Sequence, residues 1–159
     1  MDLFAKLSEV YSNYETKIES DNGMACFVIV NPFWNEDIRV YYEELEGIIF
    51  AFSFQHAHFA RFAGEDMAGS IDSLIQYIND FLDGKAVAVE FFKGETAIGG
   101  GSRNLNDMDM SSGKSLLKSF AGDNSFFFES VYNNVKGLAC RCSIRGWNNA
   151  NNKDVDFIL

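Results

Sequence analysis

The chain's two histidines stand two residues apart in His56-Ala57-His58. On a strand that spacing sends both imidazoles to one side, where they could share a metal ion. A third ligand would have to come from Glu65 or Asp66, or from Cys140 and Cys142 on another strand. A single His-x-His is a weak motif, and a plainer reading ranks ahead of it: the pair ends a strand with its ring nitrogens hydrogen-bonded at the sheet rim. Burial or a neighbouring carboxylate would make the same pair respond to pH.

Cys140-Arg141-Cys142 offers two thiols on one side of a strand, a redox or metal arrangement. Leu138 and Ile144 share that side while Arg141, Ser143 and Arg145 alternate out, so core filling is the favoured reading. A nucleophilic triad has only His56 or His58 as its base and no nucleophile motif beside them. Gly99-Gly100-Gly101-Ser102-Arg103 suggests backbone amides cradling an anion, with Arg103 adding charge. The dinucleotide pattern fails at Asn104, and the nucleotide-loop ending Gly113-Lys114-Ser115 has Met108 where the earlier glycine belongs. Asp107, Asp109 and Ser111 open like a calcium loop, but Ser112 and Lys118 stand at the glycine and bidentate-glutamate positions. No cofactor is expected.

Two stretches suit recognition better than chemistry. Asn31-Pro32-Phe33-Trp34-Asn35 puts two large aromatics in a turn, where an exposed ring would anchor a partner. Glu43-Glu44-Leu45-Glu46 adds acid, placed next to that turn if the hairpins stack. The expected binding residues are therefore Phe33, Trp34, Glu43, Glu44, Glu46 and Arg103, with His56 and His58 reserved for the metal alternative.

Elements must position these residues. Leu3, Phe4, Leu7, Val10, Tyr11, Tyr14 and Ile18 have helical spacing behind the cap Asp2. Strands follow at Met24 to Val30, Ile38 to Glu43 and Gly47 to Phe59. In the third, Ile48, Phe50, Phe52, Phe54, His56 and His58 form an aromatic wall ending in the histidines. The small face carrying Ala51, Ser53 and Ala57 is expected to receive a helix over Ile71 to Leu82, with Ser70 as N-cap and Gly84 past its end. A hairpin joins Ala86–Phe92 to Glu95–Gly99 through Lys93-Gly94. Residues 99–115 read as a long mobile loop, and Leu116, Leu117 and Phe120 as a short helix. A last hairpin pairs Ser125–Tyr132 with Leu138–Gly146, setting Glu129 across from Arg141, and Val155, Phe157 and Leu159 suggest an edge strand. The expected fold is a single α+β domain over residues 1–159, with a largely antiparallel sheet of about six to eight strands and two main helices, in the order α-βββ-α-ββ-loop-ββ.

Composition bounds the function. At 159 residues with 47% apolar side chains, 16 Phe, 6 Tyr and 2 Trp, the chain can bury a core without staples. A net charge of −10 gives little attraction to nucleic acid or anionic lipid. The charge is lopsided: residues 1–66 hold 12 acidic and 4 basic side chains. No apolar run suits a membrane span, and the charged amphipathic stretch from Asp2 to Ser20 does not resemble a secretory signal. A cytoplasmic protein with reduced thiols is expected. These features rank a non-catalytic domain binding a basic protein first, its concrete form a bacterial toxin-neutralising, immunity-type protein. The alternative is a metal-dependent or small-molecule-binding enzyme using His56 and His58, and a third reading is a homodimer that hides its aromatic surface.

Overall fold

A computed structural model describes residues 2–60 and 66–159. The fold is α+β and its sheets are antiparallel, as expected, but the strands divide between two sheets, of five and four strands, instead of joining one. Among the described residues four α-helices accompany them, and the chain separates into two compact units, Met1–Leu82 and Asp83–Leu159.

The first unit begins with helix α1 (Leu3–Val10), whose N-terminus is capped by the Asp2 carboxylate accepting from the Phe4 and Ala5 amides. The helix stops well short of Ile18. Residues Thr16–Asp21 form strand β1 instead, joined to β2 (Met24–Ile29) through Asn22 and Gly23, both at positive φ. Asn-Gly favours this tight hairpin turn and outweighs the weak helical spacing that precedes it. Strand β3 (Ile38–Glu43) lies where expected. The long strand predicted over Gly47 to Phe59 folds back on itself as β4 (Gly47–Phe52) and β5 (Gln55–Phe59), with Ser53 at positive φ in the turn. The five strands run β1-β2-β3-β4-β5 in a simple meander.

That turn reverses the expected parity. Ala51 pairs with His56 and Phe50 with Ala57, so the histidines share a face with Ala51 and stand opposite the Phe50 and Phe52 wall. Helix α2 (Met67–Leu82) packs on the aromatic face, not on the small one. Phe81 meets Phe50 and Phe52 with ring centroids 5.3 Å apart in each case, and Tyr77 meets Phe50 at 4.9 Å. Burying these rings removes far more apolar area from water than covering alanine and serine would, which decides which face the helix takes. The fully covered Tyr11 ties α1 to α2, its hydroxyl lying 3.2 Å from both the Ile75 carbonyl and Asn79 Oδ1.

The second unit contains β6 (Ala86–Lys93), β7 (Thr96–Asn104), α3 (Gly113–Ala121), α4 (Ser125–Val135), β8 (Ala139–Arg145) and β9 (Lys153–Ile158), with the sheet order β7-β6-β8-β9. Two expectations fail here. The glycine run 99–101 is not part of a mobile loop but lies inside β7. A Cβ at Gly99 would stand 2.9 Å from the Phe127 ring, so the missing side chain admits α4 onto the sheet. The stretch Ser125–Tyr132, expected as a strand, belongs to α4, which Asn124 caps by accepting from the Phe127 amide at 2.9 Å. Phe127, Val131 and Val135 recur every four residues and pack against the core with Phe91, Phe120 and Cys142. Arg141 therefore pairs with Phe92 and Asp156, not with Glu129. The edge strand at Val155–Phe157 is present as β9.

Candidate functional site

Directly opposed residues in an antiparallel sheet share a face, and the register of the first unit therefore assembles two polar rows. One runs Lys17, Val28, Arg39, Ala51, His56; the next runs Glu19, Cys26, Tyr41, Ile49, His58. Arg39 Nη1 donates to Glu19 Oε1 at 2.5 Å and stands 3.9 Å from Asp21, while Arg39 Nη2 is 3.9 Å from Asp37. Lys17 reaches Glu19 at 2.9 Å, and the Tyr41 hydroxyl donates to Asp21 at 2.7 Å. Hydrogen bonds from Lys17 and Arg39 hold the Glu19 carboxyl below its ordinary range. Burial, then the hydrogen bond to Asp21, pushes the Tyr41 hydroxyl up, and burial raises the Cys26 thiol beneath the network. Near neutrality the phenol and thiol therefore stay neutral and Glu19 stays ionised.

At one end of this face lies the connection between β2 and β3. Asn31, 7% exposed, organises it: its Nδ2 donates to the Glu36 carbonyl at 3.0 Å, its Oδ1 accepts from the Phe33 amide at 2.9 Å, and its own amide donates to Asp37 Oδ1 at 3.0 Å. The two aromatics part company. Phe33 is 49% exposed, whereas Trp34 lies edge-on to Phe52 at 5.9 Å. Beside the loop opens a cleft of about 330 Å³ whose walls include Glu36, Asp37, Arg39, Tyr41 and Ser53.

Glu43, Glu44 and Glu46 are not next to Phe33. They flank or form the turn between β3 and β4, at the opposite end of the six-residue β3, about 20 Å away at the usual rise per residue. The acidic stretch was expected beside the aromatic turn, but an antiparallel meander sends successive turns to alternate ends. Leu45, which sequence reasoning passed over, is 80% exposed at the tip of this turn. Gly47 closes it at φ 74°, where a side chain would strike the Ala60 carbonyl.

The histidine rings are 5.7 Å apart between centroids, and His58 Nδ1 lies 3.5 Å from Glu46 Oε2 and 3.4 Å from the Glu46 carbonyl. Of the third ligands considered, Glu65 lies outside the described residues. Asp66 accepts from the Ala68 amide at the start of α2. Cys140 and Cys142 are buried in the core of the second unit, and burial pushes the Cys142 thiol up to about 12. Among the described residues no group of three or more His, Cys, Asp or Glu side chains is placed to hold a metal ion.

Arg103 lies in the second unit, on β7. Its Nε donates to the Phe120 carbonyl at 2.6 Å, its Nη1 to the Ser102 carbonyl at 2.7 Å, and its guanidinium sits 4.4 Å from the centre of the Phe120 ring. It thus closes the last turn of α3. Ser112, one of the calcium-loop positions, is the N-cap of that helix.

The two units differ sharply in charge. Residues 1–82 contain 14 acidic and 4 basic side chains and residues 83–159 nine of each, so the whole net charge of −10 belongs to the first unit. Among the described residues, no helix is long and apolar enough to cross a membrane. Comparison with protein-family models, curated proteins and solved structures finds no match.

Proposed function

We propose that this chain is a non-catalytic protein-binding module whose first unit engages a basic partner protein. The concrete form we favour is a cytoplasmic bacterial protein of the toxin-neutralising, immunity type. The observation that carries the proposal is the confinement of the net charge to residues 1–82, against a neutral second unit. A surface of that sign steers a cationic protein toward one half of the molecule and rejects acidic ones. The polar face adds carboxylates at Glu19 and Asp21 on β1, with Asp37 beside Arg39, and exposed Phe33 and Leu45 provide apolar contact at its two ends. The test is an NMR titration of ¹⁵N-labelled protein with a synthetic arginine- and lysine-rich peptide, using an acidic peptide of equal length as control. Salt-sensitive shifts confined to residues 1–82, and seen only with the basic peptide, support the module. Shifts spread evenly over both units, or equal effects of both peptides, overturn it.

One observation favours a second reading, an enzyme that uses His56 and His58 with a metal or small molecule. The two rings face the same side of the sheet, and the Glu46 carboxylate lies beside His58. Elemental analysis of untagged protein against a His56→Ala, His58→Ala variant separates the two readings. Stoichiometric metal lost in the variant would put the enzyme first.

A further inference from the structure

We propose that the loop from Asn31 to Asp37 and the cleft beside it are the docking point for the basic partner. In this arrangement Phe33 seats in an apolar patch of the partner, and one partner arginine or lysine enters the cleft. This rests on the protein-binding reading above and goes on to name the surface and the chemistry of its occupant.

Three features select this end of the sheet over the acidic turn at the other. First, it is concave: the cleft of about 330 Å³ offers a side chain walls on several sides, whereas Glu44, Leu45 and Glu46 form a hairpin tip. Second, the loop is held in shape by hydrogen bonds through Asn31 and Asp37, so an aromatic ring presented 49% exposed carries little ordering penalty on binding. Third, the charge suits a cation. Glu36 and Asp37 line the cleft together with Arg39; behind Arg39 stand Glu19 and Asp21, with Lys17 on Glu19, so among these described residues four carboxylates face two cations. Arg39 is held at 2.5 Å by Glu19, so its charge is answered within the network and the surplus at the cleft is negative. A partner's ammonium or guanidinium meets Glu36 and Asp37 there, and its alkyl stem lies along Ala51.

The experiment uses the whole chain and two probes, Nα-acetyl-arginine amide and the basic peptide described above. Both are expected to move the amides of residues 35–37 and 51–53. Phe33→Ala and Glu36→Gln are each expected to weaken the peptide about tenfold, and Phe33→Ala is expected to leave the single-residue probe unchanged. Both positions lie on the loop surface, and retained amide dispersion in each variant verifies folding. If the peptide still binds residues 1–82 but shifts only the amides around Glu43 to Glu46, with both variants binding as wild type, this docking point is wrong and the protein-binding reading survives. If the peptide leaves residues 1–82 untouched, both fall.

Discussion

Replacing Phe81 by alanine tests the packing that gives the first unit its polar face. Phe81 is fully buried and its ring meets those of Phe50, Phe52 and Tyr77. Truncating a buried phenylalanine costs about 3–5 kcal/mol, and three aromatic contacts place this site toward the upper half of that range. With a urea dependence of about 1.5 kcal/mol per molar, a loss of about 4 kcal/mol lowers the unfolding midpoint by roughly 2.5 M. The companion change is Ala51→Leu, on the face shared with Arg39 and His56. With the helix on the other side, that change is expected to alter stability by about 1 kcal/mol or less. The assay is urea titration monitored through the amide signals of residues 1–82, which isolates this unit from the second. If Ala51→Leu destabilises as strongly as Phe81→Ala, or if Phe81→Ala shifts the midpoint by less than about 1 M, α2 packs on the small face and the assignment of the polar rows is wrong.

Other consequences are as direct. Arg103→Met removes a hydrogen bond to the Phe120 carbonyl and a ring contact, and is expected to destabilise the second unit by about 1–3 kcal/mol in urea titration, while phosphate leaves the wild-type midpoint unchanged. Glu19 has a lowered folded-state pKa, so its contribution is present above the ordinary carboxylate range and is lost as pH falls through the folded value. Glu19→Gln should flatten the acid limb of a pH–stability curve for residues 1–82 and leave the curve for residues 83–159 unchanged. The three thiols are free and buried, and burial raises the Cys142 pKa to about 12. Thiol-reactive dyes at pH 8 should label them only on unfolding, and rapid labelling of the native protein would contradict the core assignment.

The metal alternative and the protein-binding proposal use the same sheet face, which makes the histidine variants informative for both. His58 sits near the Glu46 end and His56 opposite Ala51, beside the wall of the cleft. The His56→Ala, His58→Ala double variant should bind the basic peptide as wild type does if the loop from Asn31 to Asp37 is the anchor.

Much of this protein was legible one residue at a time. Asp2 announced α1, the apolar repeat announced α2, and β3 followed from strict alternation between Ile38 and Glu43. The α+β antiparallel character followed from connections too short for parallel crossovers. The acidity of the first half was equally plain, as was the core placement of Cys140 and Cys142 between outward-facing polar residues. The hairpin at Asn22-Gly23 was not anticipated, because the helical spacing was carried on to Ile18 past a dipeptide whose preference for positive φ outranks it.

What the tertiary structure decided was which residues meet. One positive-φ turn at Ser53 moved His56 and His58 to the face opposite the phenylalanines, because parity along a strand is reset wherever the chain reverses. The meander sent the aromatic loop and the acidic turn to opposite ends of β3, a separation invisible in a sequence where about ten residues divide them. Phe126-Phe127-Phe128 has the composition of a strand, but Phe127, Val131 and Val135 find a core only as a helix over the side-chain gap at Gly99. Local preference is worth tenths of a kcal/mol per residue, burial of one ring several times that, and where they conflict the contacts made in three dimensions prevail.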